Sequence, residues 1–247
     1  MSCSACLEEQ KDGFEFTMAF QPILDIPGKS FFAHEALVRG INNEPAAAIL
    51  SQVNDSNRYW FDQRCRIRAI EMAAALNIQA RLSINFLPNA VYRAESCIRL
   101  TIETAERVGF PLDRIVFEVT EGEKVVDHAH LISIIQTYKK YGFLTAIDDF
   151  GAGYSGLNLL ADFQPDIIKL DMALTRNIES DRVRRAIVSG ILTVCRDLGI
   201  DVIAEGIETR AELDALLELG ISRFQGYLFS RPLFQDYVRE WPQFDAA

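Results

Sequence analysis

The sequence predicts an α/β fold, a TIM-like (β/α)8 barrel with an antiparallel first strand, and three observations carry that expectation. From Arg81 onward, short apolar runs alternate with helical patterns without a break, which calls for right-handed βαβ units and a parallel sheet. That many units in one chain favour closure into a barrel over an open sheet. The two runs before Arg81 are joined only by Asp25-Ile26-Pro27-Gly28-Lys29, too short for a parallel crossover, so they pair antiparallel. Finally, 247 residues with 49% hydrophobic content suit one barrel-sized domain, and no Pro/Gly/Ser-rich linker or internal repeat divides it. Residues 1–15 are expected to form a flexible N-terminus and residues 16–247 a single barrel domain.

Taken in order, residues 16–24 and 31–39 read as the antiparallel pair. On the second strand, period two places Glu35, Leu37 and Arg39 on one face and His34, Ala36 and Val38 on the other. A helix starts near Pro45, whose fixed φ suits a first turn, and a longer one covers 58–77. Strand 81–86 carries Asn85 just ahead of Pro88. Helix 95–108 stops at Gly109-Phe110-Pro111, and strand 114–121 holds Glu118 between Phe117 and Val119, where an unpaired carboxylate is costly. Helix 127–141 leads into the apolar run Leu144-Thr145-Ala146-Ile147, which ends in Asp148-Asp149. Neighbouring strand side chains point to opposite faces, so both carboxylates serve one site only if the chain turns at Asp149. Gly151, Gly153 and Gly156 are expected to supply that turn, and an N-cap role for Asp149 is the local alternative. A short helix reaching Phe163, strand 165–171 with Lys169 and helix 181–198 follow. Strand 201–208 with Glu205, helix 209–219 and a last strand 221–228 with Gln225 complete the series.

The formal charge of −10 argues against tracking a polymeric nucleic acid, which needs a basic stripe, yet permits a small phosphorylated ligand bridged by cations. No apolar run approaches a membrane span and the first residues do not resemble a signal sequence, so a cytoplasmic setting is expected. Cys3 and Cys6 form a C-x-x-C without the second pair that zinc needs, and Cys65, Cys97 and Cys195 fall inside helical segments. His34 faces away from Glu35, and His128 and His130 sit at a helix start, so the histidines read as structural or solvated.

Glu35, Asn85, Glu118, Asp148 with Asp149, Lys169, Glu205 and Gln225 lie on seven successive strands, always towards the C-terminal end. In a barrel those ends form one mouth, the face that carries barrel active sites. Five carboxylates and one lysine there carry about −4, and self-repulsion raises their pKa values unless cations compensate. Two divalent ions supply that charge. Oxygen ligation without a His or Cys cluster selects Mg2+ or Mn2+ over zinc, and two such ions roughly 3.5–4 Å apart serve in-line attack of a shared hydroxide on a phosphodiester.

Glu35-Ala36-Leu37-Val38-Arg39, Ser83-Ile84-Asn85, Glu118-Val119-Thr120-Glu121, Asp148-Asp149-Phe150-Gly151, Lys169-Leu170-Asp171, Ala204-Glu205-Gly206-Ile207-Glu208 and Gln225-Gly226-Tyr227 together resemble the EAL-domain family. These are bacterial phosphodiesterases that linearise cyclic di-GMP to pGpG. The resemblance runs from about residue 16 to 234. It implies that Glu35, Asn85, Glu118, Asp148, Asp149 and Glu205 ligate or support two metals, Mg2+ or Mn2+, with Ca2+ inhibitory. It assigns the attacking water to Lys169, with Glu205 also in the catalytic set. Gln21, Leu37, Arg39, Gln225, Arg231 and Pro232 would contact substrate. Glu121 would tether the loop 150–156, which the resemblance sets beside a homodimer interface built from the helices after the fifth and sixth strands. Gly156 stands where many members have serine, and Arg231 where many have lysine. The stretches 121–123 and 153–160 resemble the branch attached to blue-light-sensing domains, and a sensor or cyclase domain is an expected partner if the chain is a fragment. A catalytically silent member that binds cyclic di-GMP or a protein is the alternative. A Schiff-base aldolase built on Lys169 is opposed by the five carboxylates, which hold that lysine protonated.

Overall fold

The computed structural model describes residues 14–91, 93–120, 128–153 and 160–244, with Thr120 and His128 described in their backbone only. Strands β1 (Thr17–Asp25) and β2 (Ser30–Arg39) form the antiparallel pair, in a register that sets Gln21 opposite Glu35 and Thr17 opposite Arg39. From β2 the sheet continues in parallel through β3 (Arg81–Asn85), β4 (Ile115–Thr120), β5 (Leu144–Phe150), β6 (Ile167–Leu170), β7 (Asp201–Ala204) and β8 (Arg223–Phe224). β8 then pairs antiparallel with β1, closing an eight-stranded barrel, and a short β9 (Leu233–Phe234) adds to β1 at Ala19 and Phe20. The helices described are α1 (Ala46–Leu50), α2 (Arg58–Ala75), α3 (Ala94–Val108), α4 (His128–Lys140), α5 (Met172–Thr175), α6 (Arg182–Leu198) and α7 (Arg210–Glu218). The expected barrel with its reversed first strand is therefore present.

Several boundaries differ, each for a physical reason. The last strand, expected over 221–228, is a two-residue ladder, after which Gln225–Leu228 wraps the backbone of Ile207 through Ile207 N to Gln225 O (3.1 Å) and Leu228 N to Ile207 O (3.0 Å). Gly226 allows this approach, since a Cβ there would lie 2.1 Å from the Ile207 carbonyl oxygen. β7 likewise ends at Ala204, leaving Glu205 one residue beyond it. β5 instead runs further than expected, to Phe150, by shifting register between Ile147 and Phe150. Phe14, inside the segment expected to fray, packs its ring against Trp60 and Phe61. Residues 160–162 are helical, and the rest of the short helix expected there lies outside the described residues.

Alternation along the strands stacks the barrel interior in two layers. The lower layer is apolar: Ile23, Phe32, Ala33, Val116, Ala146, Ile167 and Ile203 form their own buried cluster. Two residues on from Ala33, Val116, Ala146, Ile167 and Ile203, on the same face, stand Glu35, Glu118, Asp148, Lys169 and Glu205. The larger core lies between the sheet and the helices. It contains a buried cation: Arg66 of α2 pairs with Asp62 at 2.5 Å, donates to Tyr138 Oη at 2.8 Å, and lies over the rings of Phe86, Phe117 and Tyr138. Asp62 also accepts from Leu87 N at 2.9 Å, which ties α2 to the loop that follows Asn85.

Candidate metal and catalytic site

Lys169 is fully buried, and its Nζ lies 2.8 Å from Glu205, 2.9 Å from Glu118, 2.9 Å from Asp148 and 3.3 Å from Glu35. Burial alone would lower its pKa. The carboxylates of Asp148, Glu118, Glu205 and Glu35 outweigh that and hold it well above the usual lysine value. Around this centre every donor is directed. Asn85 Nδ2 donates to Glu35 Oε1 (2.8 Å), Gln225 Nε2 to Glu35 Oε2 (2.8 Å) and to Gln21 Oε1 (3.2 Å), and Ser83 Oγ to Glu118 Oε1. Gln21 is itself fixed by donation to Ser230 O at 3.1 Å.

The chain does turn at Asp149, but by a bulge in β5 and not by the glycines alone: Asp149 takes φ 55° in the left-handed region while Phe150 rejoins the ladder opposite Leu170. This lets Asp148 and Asp149 share one site with Glu205, all three offering oxygens within 4.8 Å of one another. Glu35, Glu118 and Asp148 make a second group on the same criterion, so Asp148 belongs to both. Glu205 is set by Gly206 at φ 66°, where a Cβ would lie 2.6 Å from that of Met172. The loop beyond is held by Glu212, which accepts from Glu208 N (3.0 Å) and Asn177 N (3.1 Å).

Burial, opposed by Lys169 and reinforced by Glu35 and Asp148, pushes the Glu118 carboxyl up to about 8. Burial also raises Glu205 well above the usual range, and burial with Asp148 and Asp171 takes Asp149 to about 6. One lysine does not neutralise this cluster. Hard oxygen donors converging in excess of positive charge fit divalent cations such as Mg2+ or Mn2+.

Gln21, Glu35, Leu37, Asp148, Asp149, Lys169, Glu205 and Gln225 all line one cavity of about 400 Å3 at the C-terminal face. Asn85 and Glu118 join it through the contacts above. Arg39 sits further along the rim with its Nη1 on Val38 O (2.6 Å), and Arg231 stacks on Tyr227 at 4.2 Å from the ring centre. Pro232 follows, half-buried. Glu121, Gly156 and the Cys3/Cys6 pair lie outside the described residues. Sequence reasoning gave no role to Ser83, Asp171, Met172 or Tyr227, the last three of which line the cavity. Ser83 carried a signal, standing two residues before Asn85 on the same strand face. His34 and His130 are structural. His34 is buried against Val238 O (3.3 Å) and Tyr237, with burial lowering its pKa to about 4, and His130 contacts Val91 O.

Comparison with known proteins gives a consistent picture. The family model described as "EAL domain" matches residues 5–232. A solved structure described as a standalone versatile EAL protein from Vibrio cholerae O395, in c-di-GMP bound form, is 52% identical, with TM-score 0.91 over 96% of this chain and 100% of that one. Klebsiella pneumoniae BlrP1, solved as calcium/cy-diGMP and manganese/cy-diGMP complexes, is 35% identical over 92% of this chain and 58% of that chain, with TM-scores of 0.86 and 0.85. Among curated relatives, the blue light- and temperature-regulated antirepressor BluF of Escherichia coli is 34% identical over 86% of this chain and 53% of its own length. More distant relatives carry the name cyclic di-GMP phosphodiesterase. The chain thus spans about half the length, or less, of the curated relatives it matches.

Proposed function

The chain belongs to the EAL domain family, and from that membership we propose that it is a metal-dependent phosphodiesterase hydrolysing cyclic di-GMP to linear pGpG. The carrying observation is that two groups of carboxylates share Asp148 around one buried lysine. Glu35, Asn85, Glu118, Asp148, Asp149 and Glu205 would hold two cations, Mg2+ or Mn2+, which when bound supply neutralising charge and acidify a water. Lys169 is the only cationic side chain on the cavity among the described residues. It orients the attacking water and offsets charge growing on the phosphoryl oxygens. That water's oxygen bonds to phosphorus, the P–O3′ bond breaks, and the 3′ oxygen leaves with a proton, giving a linear product with a 5′-phosphate. Gln21, Leu37 and Gln225 line the floor that would seat the substrate, and Arg39, Arg231 and Pro232 its rim. Ca2+ should bind without supporting turnover, because its longer, looser coordination positions water poorly.

The raised pKa values make metal binding pH-dependent. Ligands must lose their protons to bind, so the Kd for Mn2+ is expected to fall as pH rises from 6 to 8, by up to about tenfold per pH unit for each proton displaced. The metal-free fold should move oppositely. Glu118, Asp149 and Glu205 have folded pKa values above their unfolded ones, so the stability they lend is complete below the unfolded values and is lost as pH rises through the folded ones, about 6 for Asp149 and about 8 for Glu118. Calorimetric Mn2+ titrations and melting curves of chelated protein across this range check both, and an affinity independent of pH would count against the cluster as ligands.

The relative named an antirepressor supports a second reading, a member that binds cyclic di-GMP or a protein without turning it over. It differs in leaving the nucleotide intact. We further propose a cytoplasmic homodimer, with a sensor or cyclase domain as partner if the chain is a piece of a longer protein. Val183, Ile187, Val194 and Leu198 form one face of α6 and are 37–68% exposed, an apolar stripe that a second copy would bury. Ile187→Asp should convert dimer to monomer in sedimentation velocity. A monomeric parent chain at micromolar concentration would rule the stripe out as a dimer contact.

A further inference from the structure

A second cavity, of about 210 Å3, lies outside the mouth, between the start of β1 and helix α2, and shares no lining residue with the mouth. Its floor is aromatic: Phe14, Phe16 and Trp60, whose rings meet edge-on or tilted with centroids 5.5–6.2 Å apart. Its wall carries Arg64 and Arg68, one helical turn apart on α2 and both exposed. Arg58 and Arg66 of the same helix are each paired with an aspartate. Arg64 and Arg68 have no hydrogen-bond or ion-pair partner among the described residues, and neither has the Trp60 indole N–H.

Two like charges at i and i+4 repel along a helix, and in a chain of net charge −10 carboxylates are plentiful. Yet among the described residues none pairs with either arginine, although Glu15 lines the same cavity. The result is a compact group of donors over a ring floor, and its two guanidinium groups have no acceptor among the described residues. A ligand that complements it needs an acceptor-rich anion, which a guanidinium fork grips best as phosphate, and a flat π-face that stacks on indole. The volume, small beside the usual ligand pocket, seats a base on the rings and leaves the phosphate at the exposed arginine edge.

We propose that this cleft binds a nucleoside monophosphate, with the phosphate between Arg64 and Arg68 and the base on Trp60. Among the described residues Glu15 is the carboxylate on the cavity that can accept from the base edge. Ile41, 48% exposed, lines the cleft two residues past β2, and Glu35 lies six residues back along the chain. The two cavities share no lining residue, so occupancy does not require the catalytic residues.

Trp60 and Trp241 are the two tryptophans, so Trp241→Phe leaves Trp60 as the reporter. In that background, with chelator present to keep the mouth metal-free, GMP and AMP should quench Trp60 emission saturably. Guanosine and inorganic phosphate should each bind at least about tenfold more weakly. Adding Arg64→Ala and Arg68→Ala should cost at least about tenfold in nucleotide affinity while leaving melting temperature and cyclic di-GMP hydrolysis unchanged. Absence of saturable quenching up to ~10 mM nucleotide, or quenching that persists in the arginine variant, would overturn the assignment. Phosphate binding as tightly as the nucleotides would reduce the cleft to a plain anion site and would equally refute it. Because hydrolysis is measured separately, failure here leaves the phosphodiesterase reading untouched.

Discussion

Asp148→Asn is expected to lower kcat/KM for cyclic di-GMP by at least about 10³-fold, a barrier increase of about 4 kcal/mol, without lowering the melting temperature of the metal-free protein. The first half follows from position. Asp148 is the carboxylate common to both ligand groups, so its neutralisation weakens two cation sites, whereas Asp149→Asn touches one. The second half follows from charge. In the metal-free protein Asp148 raises the pKa of Glu118, Asp149 and Glu205 by repulsion, and an amide of the same shape removes that repulsion while giving up one of four contacts to Lys169. Steady-state kinetics and a melting curve on the same preparation check both. Loss of activity accompanied by a large drop in melting temperature would mean that Asp148 acts chiefly as a fold element.

Lys169→Met should behave in the opposite way on stability. Lys169 is the one cation within 3.3 Å of Glu35, Glu118, Asp148 and Glu205 among the described residues. Breaking a buried charge contact on one side costs about 3–5 kcal/mol, because the partners are left uncompensated. In a domain of this size 1 kcal/mol moves the melting temperature by roughly 2–4 °C, so the metal-free variant should melt about 10 °C lower. Saturating Mg2+ should restore most of that, since divalent cations replace the missing charge, but hydrolysis should stay absent. A metal-free Lys169→Met protein as stable as the parent would show that the carboxylates protonate at no cost to the fold.

Much of this was legible in the chain. The barrel followed from strand–helix alternation after Arg81 and the short turn at residues 25–29, and the mouth followed from one regularity. On seven successive strands a polar residue stands towards the C-terminal end, and at Ala33 and Glu35 or Ile167 and Lys169 it stands two places beyond an apolar one. Because side chains alternate strictly along a strand, that spacing fixes a polar layer above an apolar one with no tertiary knowledge. The β5 bulge was not legible. Adjacent aspartates flag a turn, but whether the ladder resumes at Phe150 depends on the four residues of β6 beside it. Nor was the fate of Arg66. In Asp62-Gln63-Arg64-Cys65-Arg66-Ile67-Arg68 the helical period sets Arg66 on the opposite face from Arg64 and Arg68, and it is buried while they are exposed. What the local pattern lacks is its partner, Tyr138, 72 positions away, which receives the Arg66 hydrogen bond.

Product analysis decides whether the mouth's carboxylates and Lys169 constitute a metal-dependent phosphodiesterase site. Chelated protein is incubated with cyclic di-GMP, with and without added Mg2+ or Mn2+, and the nucleotides are separated by chromatography. Linear pGpG should appear only when metal is added, and not with Asp148→Asn. Undiminished turnover after exhaustive metal removal, or intact cyclic di-GMP after incubation with folded, metal-loaded protein, would contradict it.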